Sequence, residues 1–126
     1  MSTSLPERVS LTSKLASFTE PWVPKVIAEL NDQYVKVVKT KGEYVWHSHE
    51  HEDEMFLVVA GRLEIHLRDR VVALGPGEFC VVPRGVEHKP VSRGEASVLL
   101  FEPATTRNTG DVDHDYTIEA GDLEHI

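Results

Sequence analysis

HSHEHEDEMFLVVAG, residues 47–61, and GEFCVVPRGVEH, residues 77–88, decide how this chain is read. The first stretch runs His47-Ser48-His49, four residues, Glu54, six residues, Gly61; the second runs Gly77, five residues, Pro83-Arg84-Gly85, two residues, His88. Three imidazoles and a carboxylate are ligand types that first-row transition metals take. Each stretch also carries the Gly and Pro residues that turn a chain sharply. Residues two apart on a strand share a face and lie roughly 6.6 Å apart, so His47 and His49 can converge on one point from a single strand. Glu54 follows after a tight turn, and His88 lies 39 residues beyond His49. Donors brought from separate strands would leave one or two coordination positions open, as in catalytic metal sites.

The flanking sequence is punctuated by turns. Gln33 to His49 is strand-rich and interrupted at Lys41-Gly42, and Glu54 to Val59 is a compact apolar run. Ala60-Gly61-Arg62 predicts a hairpin turn. From Leu63 to Arg68, Leu63, Ile65 and Leu67 alternate with Glu64, His66 and Arg68, the pattern of a half-buried strand. Val71 to Leu74, Phe79 to Val82, a segment around His88, and Ser97 to Glu102 read as further strands, with Gly75-Pro76-Gly77 as a turn. In Trp22 to Leu30 (WVPKVIAEL), Pro24 lacks a ladder donor and restricts the segment to an edge strand. Leu11, Leu15 and Phe18 suggest a short helix or arm, Ala104 to Asp115 a polar loop, and Tyr116, Ile118, Leu123 and Ile126 a tail that docks back. Short strands at regular spacing predict an all-β sandwich or barrel, read as a single domain over 1–126 with its barrel core at about 22–103.

Together these two motifs resemble those of the cupin superfamily, in the form found in small single-domain bacterial-type cupins. Gly42 stands one residue closer to the histidines than the family's glycine usually does, and Ser92 occupies a position that is often Asn. The 15 residues between Gly61 and Gly77 match the short spacing of such proteins. The resemblance implies a double-stranded β-helix, or jelly-roll barrel, with His47, His49, Glu54 and His88 as ligands of one divalent transition metal ion. Fe, Mn, Ni, Zn and Cu are not distinguished. His51 and Asp53 are rivals in the same acidic loop; strand parity favours Glu54, which is in phase with Phe56 and Val58.

Other residues carry weaker expectations. Cys80 reads as a small buried hydrophobe, and Trp22 and Trp46 as core or interface aromatics. Tyr34, Tyr44 and Phe56 are candidate cavity walls, and Val45, Phe56 and Val58 suggest a small, partly apolar cavity for a compact organic ligand. Arg84 is expected to face solvent. Arg107-Asn108-Thr109-Gly110 reads as a polar loop or a lid. A phosphate-cradling glycine loop is missing, and so is a visible cluster of inward-pointing Arg or Lys, which removes support for a sugar-phosphate substrate.

A net charge of −8 argues against nucleic acid or an anionic membrane as partner. Met1 to Pro6 has no apolar run of the signal-peptide type, and no stretch approaches the roughly 18 apolar residues of a membrane span. One cysteine excludes an internal disulfide, so a reducing cytoplasm is the expected compartment. The residues point to a metal-dependent enzyme, with Glu54 as ligand or general base, of dioxygenase, isomerase/epimerase or lyase type. The alternatives are a non-catalytic metal-containing binder or sensor, and a barrel with an empty site. The resemblance also implies a homodimer, for which the WVPKVIAEL edge and the Leu11/Leu15/Phe18 arm are the expected patch.

Overall fold

The computed structural model describes residues 5–126; the reading of the N-terminus falls in part on residues 1–4, outside that range. A short helix, α1 (Leu11–Ala16), opens the chain. The Ser10 hydroxyl caps it by accepting from the Ser13 amide at 3.2 Å. Eight strands follow: β1 (Lys25–Leu30), β2 (Gln33–Glu43), β3 (Glu54–Ala60), β4 (Leu63–His66), β5 (Val71–Leu74), β6 (Phe79–Val82), β7 (Lys89–Pro103) and β8 (Glu124–His125). The strands run β5-β4-β7-β2-β1-β8, with β3 lying between β6 and β7, a jelly-roll barrel.

The 15-residue β7 organises this sheet. One edge pairs with β2 from Gln33↔Pro103 to Glu43↔Val91. The other edge is shared, with β4 along Lys89–Val91 and β3 along Ser97–Phe101. The Ala60-Gly61-Arg62 turn is therefore a corner between two strands that each pair with β7, rather than the expected hairpin. Turn residues announce a reversal but not which strands pair after it. Gly61 fits because its φ is +81° and a Cβ there would lie 2.5 Å from the Glu95 carbonyl oxygen. Two further boundaries differ from expectation. β2 continues through Lys41-Gly42 as a bulge, with Gly42 at φ +78°, and β7 begins eight residues before Ser97 because the exposed Arg93–Glu95 stretch bends without ending the strand.

Inward positions of the strands form one core of Val38, Phe56, Val58, Leu63, Ile65, Leu74, Val82, Ala96, Val98 and Leu100. Val58 and Val98 are fully buried and face each other across the β3/β7 ladder. Cys80 is half-buried and packs against this core from outside. The tail docks as expected: Leu123 is buried, β8 pairs in parallel with Lys25-Val26, and the Ile126 amide donates to the Val26 carbonyl at 3.0 Å.

The expected association patch is used within the chain. Trp22, Val26 and Leu15 are all buried, and Trp22 is fixed by its amide donating to the Lys39 carbonyl and its indole N–H to the Lys41 carbonyl, each at 2.8 Å. Leu30, at the end of that edge, stays 47% exposed, and β6 exposes Phe79 at 59% and Val81 at 52%. No helix among the described residues is long and apolar enough to cross a membrane.

Candidate metal centre

After Glu43 the chain leaves the β2 ladder, so His47 and His49 stand on an extended segment rather than a regular strand. Reciprocal backbone bonds fix that segment to the other half of the site. The His47 amide donates to the His88 carbonyl at 3.0 Å, and the His88 amide to the His47 carbonyl at 2.9 Å. The Gly85 amide donates to the His49 carbonyl at 2.8 Å. Glu54 is the first residue of β3, its side chain in phase with the inward Phe56 and Val58.

These links bring His47, His49, Glu54 and His88 together, all buried, with one donor atom from each lying within 4.8 Å of the other three. Glu54 Oε1 is 3.4 Å from His49 Nε2 and 3.3 Å from His88 Nε2. In two rings the tautomer is set by the backbone two residues upstream: His47 Nδ1–H donates to the Val45 carbonyl and His88 Nδ1–H to the Val86 carbonyl, each at 2.9 Å. Each Nε2 is left with its lone pair toward the centre, the arrangement that orients metal-ligating histidines. Burial first, and then the neighbouring His88, pushes the His47 pKa down to about 4, so this ring is neutral at physiological pH.

Glu54 has a third neighbour. Strand register places it opposite Glu102 of β7, since Met55 pairs with Phe101, and both residues line the same cavity. Burial, the largest influence on Glu54, raises its pKa. Its polar neighbours Glu102, His49 and His88 outweigh it and hold Glu54 well below the usual carboxylate range. Glu102 is driven the other way, by burial first and by the Glu54 charge second. Lys36 Nζ donates to Glu102 Oε1 at 2.9 Å, and both side chains are essentially inaccessible. Glu102 Oε2 is buried without a hydrogen-bond partner, and a proton there directed at Glu54 would leave all three groups partnered.

The donor set fits a transition-metal ion. His49 Nε2 is buried without a hydrogen-bond partner, which is costly unless something else occupies its lone pair. A cation held by three imidazoles and one carboxylate would meet that need and leave room for a further ligand. The rivals lie outside: the His51 side chain is 79% exposed, and Asp53 accepts from the Arg84 amide at 2.9 Å and its guanidinium at 3.3 Å. Arg84 is exposed, as expected, and this pairing ties the acidic loop to the Pro83-Arg84-Gly85 turn.

Beside the centre lies a small cavity of about 40 Å³, walled by Trp22, Tyr44, Phe56, Leu63, Val98 and Leu100. Its polar lining is Thr40, His47, Glu54, Glu102 and Asn108. Tyr44 stacks on Tyr116 at 5.5 Å and meets His47 edge-on at 5.6 Å. Tyr34 is not a wall; it packs edge-on against His125. The expected polar loop at Arg107–Gly110 is a fixed wall, in which Thr106 and Thr109 are fully buried and Asn108 is held by the Tyr116 carbonyl and Ile118 amide. Asp111 clasps Ser48 through two backbone-directed bonds of 2.9 and 3.1 Å.

Sequence reading missed Lys36, Thr40, Glu102 and Asn108. An inward lysine does exist, a single one spent on Glu102, and its signal was its phase: Lys36 shares the inward side of β2 with Val38 and Thr40, as Glu102 shares that of β7 with Val98 and Leu100.

A β-barrel that gathers three histidines and a carboxylate at its interior defines a class of barrels able to hold a metal ion. This chain belongs to the cupin domain family, whose model matches residues 34–102. A cupin-2 domain protein of Shewanella frigidimarina NCIMB 400 is 44% identical to it and superposes with a TM-score of 0.75, over 75% of this chain and 93% of that one. A Neisseria meningitidis protein of known structure is 32% identical with a TM-score of 0.71, over 77% and 99%. An uncharacterised Bacillus subtilis (strain 168) protein, YdbB, is 38% identical across 64 residues, or 50% of this chain. The match spans 57% of that relative, a little over half its length.

Proposed function

We propose that this cupin is a metal-dependent enzyme acting on a compact organic molecule held in the barrel cavity, with His47, His49, Glu54 and His88 as ligands of one divalent transition-metal ion. The observation that carries this reading is the buried four-donor set opening onto an apolar cavity. When bound, such an ion polarises a carbonyl or enolate oxygen, or activates dioxygen if it is iron. The chain's own residues supply the rest. Tyr44, Phe56 and Leu63 desolvate and orient the substrate's body. Glu54, kept ionised among its hydrogen-bond partners, can take a proton from a carbon next to the polarised group, the step shared by isomerisation, epimerisation and elimination.

One observation favours a non-catalytic binder instead: Glu54 is engaged by Glu102 and two histidines at once, which suits a fixed ligand better than a mobile base. The two readings part in one experiment. Metal-loaded protein is incubated in D2O with small ketones, 2-oxo acids and enediols, and NMR follows hydrogen exchange next to the carbonyl, with oxygen uptake recorded in parallel. The enzyme reading expects His49→Ala to lose the metal, and Glu54→Gln to keep metal but lose turnover by 10²-fold or more. Retained turnover in Glu54→Gln removes Glu54 as base; no turnover by wild type on any probe, with tight binding of one, supports the binder.

The reading extends to the setting. A single cysteine and no disulfide suit a reducing cytoplasm. The exposed Phe79 and Val81 on β6, flanked by half-buried Met55 and Leu57 of β3, support a homodimer contact through this face.

A further inference from the structure

The barrel buries one ammonium that the proposed chemistry does not use. Lys36 lies on the inward side of β2, fully inaccessible, and its ion-pair partner among the described residues is Glu102. Glu102 has two oxygens with different duties. Oε1 accepts from Lys36 at 2.9 Å, while Oε2 is buried without a hydrogen-bond partner, on the strand that the β3/β7 register sets against Glu54. Glu54 in turn directs Oε1 at the His49 and His88 rings. The four groups form a line from the far side of the barrel to the centre. An isolated buried ion pair contributes little to stability, whereas groups that hold a metal ligand in place commonly matter 10- to 100-fold for metal affinity.

We propose that Lys36 and Glu102 are positioning residues of the metal centre: Lys36 anchors Glu102, and Glu102 holds Glu54 in the orientation that presents one carboxylate oxygen to the three imidazoles. The inference rests on the reading of those four residues as metal ligands. It makes the outer arrangement specific to this chain's β2 and β7 rather than to the two motifs, since neither Lys36 nor Glu102 lies within residues 47–61 or 77–88. Removing the anchor frees Glu54 to rotate within its pocket, while the three histidines keep their backbone-set orientation.

The test uses Co(II) alone as probe, with affinity measured by competition against a chromophoric chelator and geometry by the visible absorption of the bound ion. Glu102→Gln keeps a carbonyl for Lys36 and an amide donor for Glu54, and is expected to bind within about 3-fold of wild type with an unchanged spectrum. Glu102→Asp keeps a carboxyl for the flexible Lys36 but falls short of Glu54; a loss of at least about 10-fold with a shifted spectrum is expected. Lys36→Met/Glu102→Leu removes the pair together, a replacement that buried pairs tolerate in folding, and should show the same loss with far-ultraviolet circular dichroism unchanged. Wild-type affinity and spectrum in Glu102→Asp overturn the proposal whether or not the double variant folds, as does equal weakening in Glu102→Gln. Failure of the wild type to take up Co(II) or Zn(II) overturns the metal-centre reading itself, and this inference with it.

Discussion

Gly110→Ala tests whether the C-terminal wall holds the histidines in place. Gly110 has φ +57°, and a Cβ added there would lie 2.2 Å from the Ser48 carbonyl oxygen, 3.0 Å from its carbon and 3.1 Å from His47 Cδ2. Ser48 sits between two proposed ligands, and Asp111 pins it in place. The left-handed backbone alone costs an L-residue about 1–2 kcal/mol, and forcing a methyl into filled space adds about 1–3 kcal/mol. A loss of about 3 kcal/mol follows, which for a chain of this size lowers Tm by roughly 10 °C. Ser48 must also move by a few tenths of an ångström or more, and a ligand set tolerates about 0.5 Å before binding suffers.

Gly61→Ala is the control. Its Cβ would meet the Glu95 carbonyl oxygen at 2.5 Å with φ +81°, a comparable strain at a corner that carries no proposed ligand. Urea unfolding in the presence of chelator measures the metal-free fold, and Zn(II) competition measures the centre. Both variants should lose about 3 kcal/mol, but Gly110→Ala alone should weaken metal binding, by about 10-fold or more. Equal metal affinities in the two variants would refute the coupling between wall and centre, and wild-type stability in Gly110→Ala would refute the steric argument.

Three further outcomes are expected. His47 is held near pKa 4 in the fold against an ordinary value of about 6.5, so the unfolded ring takes up a proton first as pH falls. Its contribution to metal-free stability is full above about pH 6.5 and lost toward pH 4. Wild type should therefore lose up to about 3 kcal/mol more than His47→Phe between pH 7 and pH 4 by chelator-treated urea unfolding, and equal losses would count against it. Metal removal should lower stability by about 4 kcal/mol relative to protein holding free Zn(II) at 1,000 times its Kd, seen as a concentration-dependent Tm; a Tm indifferent to Zn(II) opposes a bound ion. Phe79→Lys/Val81→Lys should convert a sedimenting dimer to monomer without changing circular dichroism, and a monomeric wild type would dismiss the β6 contact.

What could be read from the sequence was whatever depends on local periodicity. Leu63 and Ile65 are buried where alternation puts them, the tail docks through Leu123 and Ile126, and the four donor residues of the two motifs meet inside a barrel. What could not be read depends on which distant segments share an edge. Gly61 signals a turn equally well for a hairpin and for a corner, and only the shared edge of β7 makes it a corner. Gly110 signals a loop, but its close packing on Ser48 and His47 is a long-range contact with no local pattern.

Lys36 and Glu102 show the same limit from the other side. Each sits in phase with apolar neighbours, and a charged residue in an inward phase reads on its own as a mistaken register. Only pairing turns it into a stable feature, because a buried ammonium and a buried carboxyl are tolerable together and costly apart. The β2/β7 register aligns Lys36 with Leu100 and Tyr34 with Glu102, which leaves the two charged side chains diagonal neighbours on the inner face. The β3/β7 register then sets Glu54 on the opposite flank of Glu102. One strand, β7, thus carries the bridge between a charge that never reaches the surface and the carboxylate at the centre, and shifting its register by a single residue would turn Glu102 outward and break both contacts at once.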